Sequence, residues 1–262
     1  MQIIQWPEFL ENALPLGGNR CAVTVGVFDG VHRGHKALIQ RVVAHEAVPV
    51  VVTFRQSHHK KAQDSGREYS GSILSFRQKM AAFESLGVSI TVVIEFSESF
   101  RRMSGADFLR ILHEQGNMCF LAVGSNFRCG YRLDTDALAI QAFGSRLNIP
   151  TAIAPMLTEG SVQISSSQIR AAIGRGELKA AQAMLGYPFT VDLAGAPVRP
   201  SPKGLAFDIS SQGRMLPPPG RYDACLFGEK GGERIKAEIL VDMGSIIIDR
   251  DDSAGLEYAA FL

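Results

Sequence analysis

The 262 residues, 46% of them hydrophobic, suffice for one large or two modest domains with packed cores. Twenty-seven basic and 26 acidic side chains leave a formal charge of +1, which argues against a nucleic-acid partner or a membrane surface and requires any anion to be bound locally. No uninterrupted apolar run approaches the ~20 residues that span a bilayer, and residues 1–18 lack the basic-then-apolar layout of an export signal.

Cys21, Cys119, Cys129 and Cys225 are scattered and form no C-x-x-C pair, so neither a zinc site nor a disulfide framework is signalled. A cytoplasmic protein is the expectation.

In chain order, short β-branched runs at 22–27, 49–54, 89–96, 120–124 and 151–155 predict strands. Between them, apolar residues recur with helical spacing at Leu38, Ile39, Val42 and Val43, at Met80 and Phe83, and at Phe108, Ile111 and Leu112. Alternation of this kind predicts an α/β domain with a mainly parallel sheet. The polar segment 55–71, RQSHHKKAQDSGREYSG, is long enough to be a mobile loop. After LGYPF, glycine and proline crowd the chain and apolar residues begin to alternate, as in RIKAEILVD, which predicts a small β-barrel-like domain. The boundary is expected near 187–190, giving domains of 1–187 and 188–262.

The first strand runs into VTVGVFDGVHRGH (23–35), where Gly26 marks the strand end and helical periodicity resumes from about His35. Strand-to-helix turns of this kind bind ligands in α/β sheets. Gly30 and Gly34 lack Cβ atoms, so phosphate oxygens can approach the backbone, and the N–H groups opening the next helix supply donors and partial positive charge. His32 and His35 add movable donors, with Phe28 and Asp29 between them and the strand. A zinc site would need a third ligand and usually H-E-x-x-H, which is absent. A purely structural role for both histidines is the alternative, but two histidines beside two glycines at a strand end are costly to explain by packing alone, which favours a phosphate site. Neither a P-loop nor a G-x-G-x-x-G turn is present.

Farther along, VGSNFRCG (123–130) follows a predicted strand, and ISSSQIR (164–170) reads as serines capping a helix with Arg170 in its first turns.

H-R-G-H after a strand resembles the H-x-G-H signature of the nucleotidylyltransferase superfamily, in the spelling GVFDGVHRGHKALI of the prokaryotic FAD synthetase family. The resemblance spans roughly residues 15–189 and implies a Rossmann-like fold and transfer of AMP from ATP to FMN, giving FAD and pyrophosphate with Mg²⁺. It implies that His32 and His35 bind ATP phosphates and stabilise the transition state. Gly26, Phe28, Asp29, Gly30 and Gly34 would line the nucleotide. ISSSQIR is similar to the family's ISSTxxR, so Ser165, Ser166, Ser167 and Arg170 would hold the leaving pyrophosphate. VGSNFRCG resembles VGxDFxFG, which implies flavin contacts at Asn126 and Arg128, with Cys129 in place of an aromatic residue. VVVTF matches the strand before F-x-P-H-P and places Phe54 beside the flavin; the Pro-His-Pro itself is replaced by RQSHHKK, and no role passes to His58 or His59. The metal ligands are left unassigned.

In bifunctional members of the family, a riboflavin kinase barrel with a G-F-P-T-A-N motif follows. KGLAFDISS (203–211) stands in its place, and no R-x-E stretch or long terminal helix precedes the final GLEYAAFL, although MLPPPGRYDACL resembles the barrel's P-x-G-V-Y turn. The expectation is a degenerate kinase-like barrel with a structural or docking role. Transfer to another phosphate acceptor, such as a pantetheine or nicotinate nucleotide, and a non-catalytic flavin nucleotide sensor are the competing readings.

Overall fold

A computed structural model describes residues 1–55, 71–228, 234–251, 253 and 255–262. Most of the expected mobile loop, with His58 and His59, lies outside the described residues. The chain forms two compact units.

The first unit comprises Met1–Phe28, Gly34–Gln56 and Met80–Leu157. Its strands are β1 (Gln2–Gln5), β2 (Cys21–Val25), β3 (Val48–Arg55), β4 (Ile90–Glu95), β5 (Met118–Gly124), the short pair β6 (Arg128–Cys129) and β7 (Thr135–Asp136), and β8 (Thr151–Ala154). The helices along this part of the chain are α1 (Trp6–Asn12), α2 (Arg33–Val43), α3 (Phe76–Ser85), α4 (Glu98–Arg101), α5 (Gly105–Glu114) and α6 (Ala137–Arg146). Six strands make one parallel sheet in the order β1–β4–β3–β2–β5–β8. Burial on both faces explains the continuous apolar runs: every residue of β2 is buried, and so are five of the six in β4.

All five expected strands are present, with no end shifted by more than two residues. The sequence reading missed β1, whose four residues are too few to show a period and which adds to the edge of β4. Helix α2 begins at Arg33 and not near His35, since the small polar RGH opening carries no apolar period. On α5 the buried residues are Gly105, Phe108, Leu109 and Leu112, and Ile111 is half-buried against the same core. Ser104 and Asp136 cap α5 and α6, their side chains accepting from the N–H groups of Asp107 and Ala139.

The second unit comprises Asp29–Arg33, Ser57–Lys79 and Thr158–Leu262. It holds the hairpin β9 (Thr158–Glu159) and β10 (Val162–Gln163), then α7 (Ser166–Gly174) and α8 (Leu178–Leu185). Gly186 closes α8 in the left-handed conformation at φ 76°. There follow β11 (Thr190–Asp192), β12 (Val198–Ser201), β13 (Gly204–Asp208), β14 (Gly220–Phe227), β15 (Ile235–Asp242), β16 (Ser245–Ile248) and β17 (Tyr258–Phe261). These seven strands form an antiparallel sheet in the order β11–β17–β14–β15–β16–β13–β12, the β-barrel-like element expected from the alternating C-terminal sequence. Within β14 and β15 buried positions alternate with more exposed ones over the last four residues.

Candidate active site

The first unit carries its cavity where the sheet order reverses. From β2 the chain moves outward to β3 and β4 on one side, then returns to β5 and β8 on the other, so the carboxyl ends of β2 and β5 border a crevice. A cavity of about 550 Å³ opens there, of the size that takes a small molecule. Its walls include Gly26, Phe28, His35, Phe54, Asn126, Arg128 and Cys129, so six of the predicted residues meet around one space, together with the cysteine singled out beside them.

The cavity is largely apolar, and six phenylalanines contribute to its wall. Phe54 stacks on Phe96 with centroids 4.9 Å apart and planes 11° from parallel, and Phe100 meets both rings edge-on. Planar, apolar walls suit a flat ring ligand. Asn126 and Arg128 are exposed and offer polar contacts at the rim. Burial, with a smaller push from Asp134, drives the Cys129 thiol up to about 12, so it stays neutral.

Gly26 has a packing role that the sequence reading did not foresee. A Cβ there would stand 3.0 Å from Cζ and 3.2 Å from Cε1 and Cε2 of the Phe28 ring. That ring is 1% exposed and meets His35 at 5.1 Å and Phe83 at 5.6 Å, both edge-on. Phe28 therefore acts as a wedge between strand end and helix, and His35 leans on it.

The second unit holds Asp29, 5% exposed. Its Oδ1 accepts from the N–H groups of Ile73 at 3.0 Å and Leu74 at 3.4 Å, and its Oδ2 accepts from Nη2 of Arg170. Arg170 also donates through Nε to the Gly71 carbonyl at 3.2 Å.

The backbone around Gly30 is unusual: Gly30 sits at φ 84° and Val31 at φ 34°, a conformation that strains a β-branched residue. Three fastenings hold it. The Ser166 hydroxyl donates to the Asp29 carbonyl at 2.7 Å, the Tyr187 hydroxyl donates to the Gly30 carbonyl, and the Asp29 carboxylate is bound as above. A Cβ on Gly30 would also come within 3.2 Å of Ile73 and 3.3 Å of Leu185.

His32 is 6% exposed, and burial lowers its pKa to about 4, so the imidazole is neutral near pH 7 and donates a single N–H. Of the serines, Ser165 caps α7, accepting from Gln168 N–H at 3.3 Å, while Ser166 is committed to Asp29. Ser167 is exposed in the first turn, beside the free N–H groups of a nine-residue helix. Gly34 falls in the first turn of α2.

The sequence reading passed over Phe96, Phe100, Met103, Phe127 and Leu133, all in the cavity wall. Their signal was the aromatic spacing Phe96–Phe100 straight after a strand, and Phe127 within VGSNFRCG. Tyr187 was also missed, because its partner lies 157 residues away. No helix among the described residues is long and apolar enough to cross a membrane. Among them no group of three His, Cys, Asp or Glu side chains is arranged to hold a metal.

Comparison with known proteins gives the same direction. The bifunctional riboflavin kinase/FMN adenylyltransferase of Escherichia coli K12 is 29% identical over 175 residues, 65% of this chain and 56% of that protein. The protein of the same name from Haemophilus influenzae is 26% identical over 175 residues, again 65% and 56%. The match thus spans little more than half the length of these relatives. Among solved structures, a macrolide-efflux protein from Streptococcus pneumoniae superposes with a TM-score of 0.80 at 19% identity, covering 100% of this chain and 90% of that one, which establishes a shared fold. The FAD synthetase family model matches residues 17–168, more than half of the chain and inclusive of the histidine turn, the cavity-lining segment and the serines that open α7. The chain belongs to the FAD synthetase family.

Proposed function

We propose that the chain transfers the AMP moiety of ATP to the phosphate of FMN, yielding FAD and pyrophosphate. The observation that carries this reading is the aromatic cavity at the β2–β5 switch point, with His35 in its wall. FMN is proposed to lay its flat ring system against Phe54 and Phe96, with Asn126 and Arg128 serving its polar edge or phosphate. The FMN phosphate is already anionic near neutral pH, so its attack on the α-phosphorus of ATP needs no general base. It needs alignment of two anions and donors to the charge that builds on the α-phosphate and the leaving group.

Those donors are proposed to be His32 and His35 for the ATP phosphates, and Arg170 with Ser167 and the opening N–H groups of α7 for the pyrophosphate. The neutral state of His32 fits a donor that gives an N–H without a full charge. Gly34, in the first turn of α2, keeps the backbone near the phosphates free of a Cβ atom. Mg²⁺ is proposed to arrive with ATP, retaining water and phosphate oxygens as ligands, which needs no dedicated cluster of protein side chains.

Residues 1–187 are proposed as the transferase domain and 188–262 as a β domain without riboflavin kinase activity, the segment 203–211 being taken up by β13 and the short turn after it. Cytoplasmic location and the absence of nucleic-acid or membrane partners belong to the same proposal.

The test is incubation of the purified chain with ATP, Mg²⁺ and, separately, FMN, riboflavin, nicotinate mononucleotide and phosphopantetheine. FAD and pyrophosphate from FMN alone are expected. Turnover only with another phosphate acceptor would replace FMN as the substrate, binding of flavin without pyrophosphate release would make the chain a sensor, and FMN formed from riboflavin would refute the loss of kinase activity.

A further inference from the structure

Residues 71–75 touch the Asp29 loop on one side and the antiparallel sheet on the other, all within the second unit. Toward the loop, the Gly71 carbonyl receives Arg170 Nε, and the N–H groups of Ile73 and Leu74 bind Asp29 Oδ1. Toward the sheet, Ser72 bridges to the segment before β14: its N–H donates to the Gly213 carbonyl at 2.9 Å, and its carbonyl accepts from Met215 N–H at 3.0 Å.

Ser75 then opens α3 with a reciprocal cap. Its hydroxyl accepts from Gln78 N–H at 3.1 Å, while Gln78 Oε1 accepts from Ser75 N–H at 2.9 Å. The same hydroxyl donates to Oδ2 of Asp192 on β11 at 2.6 Å. Arg77 donates to both oxygens of Asp192, and Gln78 Nε2 donates to the Thr190 carbonyl at 2.9 Å. Asp192 is 1% exposed, so these bonds form away from competing water.

The strap has no slack. Gly71 lies at φ 90°, and a Cβ there would stand 2.7 Å from the carbonyl carbon of Arg214 and from the nitrogen of Met215. A guanidinium anchored at Nε by Gly71 and at Nη2 by Asp29 has its plane fixed by two points, and one of them belongs to the strap while the other is held by it.

We infer that residues 71–75, with Ser75 and Asp192 as positioning residues, set the orientation in which Arg170 meets the leaving pyrophosphate, so that the antiparallel sheet is a working part of nucleotidyl transfer. This rests on the AMP-transfer reading above.

The experiment uses the full chain and steady-state pyrophosphate release. Ser75→Ala and Gly71→Ala are expected to lower kcat/KM for ATP by about 10- to 100-fold, the effect of losing one hydrogen bond that steers a charged group, with KM for FMN unchanged. Ser75→Thr, which keeps the hydroxyl, should restore it. Tyr222→Phe, which removes a bond from the Tyr222 hydroxyl to the Pro218 carbonyl on the same sheet without touching the strap, should behave as wild type. A merely structural role would reduce the active fraction while leaving both KM values alone. That result, or unchanged kcat/KM in folded Ser75→Ala, overturns the inference; Ser75→Ala decides if Gly71→Ala fails to fold. If the wild-type chain transfers AMP to no acceptor, the reading of the activity falls separately, and amide exchange judges the strap. Faster exchange at Ile73 and Leu74 in Ser75→Ala, with the strands of the sheet unaffected, then supports it, and unchanged exchange overturns it.

Discussion

Replacing Gly26 with alanine tests how the first motif is built. The added methyl would press on three carbons of the Phe28 ring at 3.0–3.2 Å, and a ring so placed must shift by a few tenths of an ångström. It has little room to do so, because it is 1% exposed and wedged between His35 and Phe83. Overpacking of this kind costs about 1–3 kcal/mol. For a chain of this size each kcal/mol lowers Tm by roughly 2–4 °C, so a fall of roughly 2–12 °C is expected in calorimetry. Because His35 leans on the same ring, pyrophosphate release should fall as well. The decisive measurement is a double-mutant cycle with Phe28→Leu, whose smaller side chain gives the methyl space. Coupling larger than about 0.5 kcal/mol is expected for a pair in contact. Additive effects, or an alanine variant with wild-type Tm and weakened ATP binding only, would show that Gly26 serves phosphate approach and not the Phe28 wedge.

His35→Ala and Arg170→Ala are each expected to lower turnover by about 10²–10³-fold at saturating ATP and FMN, the usual loss of a preorganised donor, with folding retained by circular dichroism; near-wild-type rates would sink the assignment. Burial lowers His32 from its ordinary 6.5 to about 4, so the unfolded chain takes up a proton that the folded one refuses. The stability this group contributes is complete above pH 6.5 and is lost as pH falls toward 4, by about 3 kcal/mol in all, and His32→Gln should flatten that part of a urea-denaturation pH profile. With the Cys129 thiol pushed up from 9.0 to about 12, its thiolate fraction falls about 10³-fold, so iodoacetamide should label it slowly until denaturant is added; equal rates in both conditions would contradict the burial argument.

The parallel sheet was legible because strands covered on both faces leave uninterrupted runs such as VVVTF and TVVI, whereas β1, four residues of QIIQ, offers no such run. The cavity was half legible. Phe54, Asn126 and Arg128 could be found from motif likeness, but Phe96 and Phe100 matter because of a stacking that forms only after β3 and β4 align in register, Phe54 opposite Ile94. Asp29 shows the limit most clearly. Its neighbours in sequence suggest a ligand-facing carboxylate, while its partners, Ile73 and Arg170, lie 44 and 141 residues away, and no local pattern encodes a bond of that span. Gly26 was read as the mark of a strand end, and nothing in that reading points to the Phe28 ring that a Cβ there would meet.

The positive φ of Val31 has a consequence in time. Left to itself, a valine abandons that conformation, and the bonds that enforce it come from Ser166 and Tyr187, 137 and 157 residues beyond the atoms they grip. During synthesis the histidine turn therefore emerges before the residues that fasten it. It takes its working shape only when Tyr187 has left the ribosome and folded back, a closure of high sequence separation and correspondingly slow. The turn thus depends on a residue made 157 positions after the glycine carbonyl it holds.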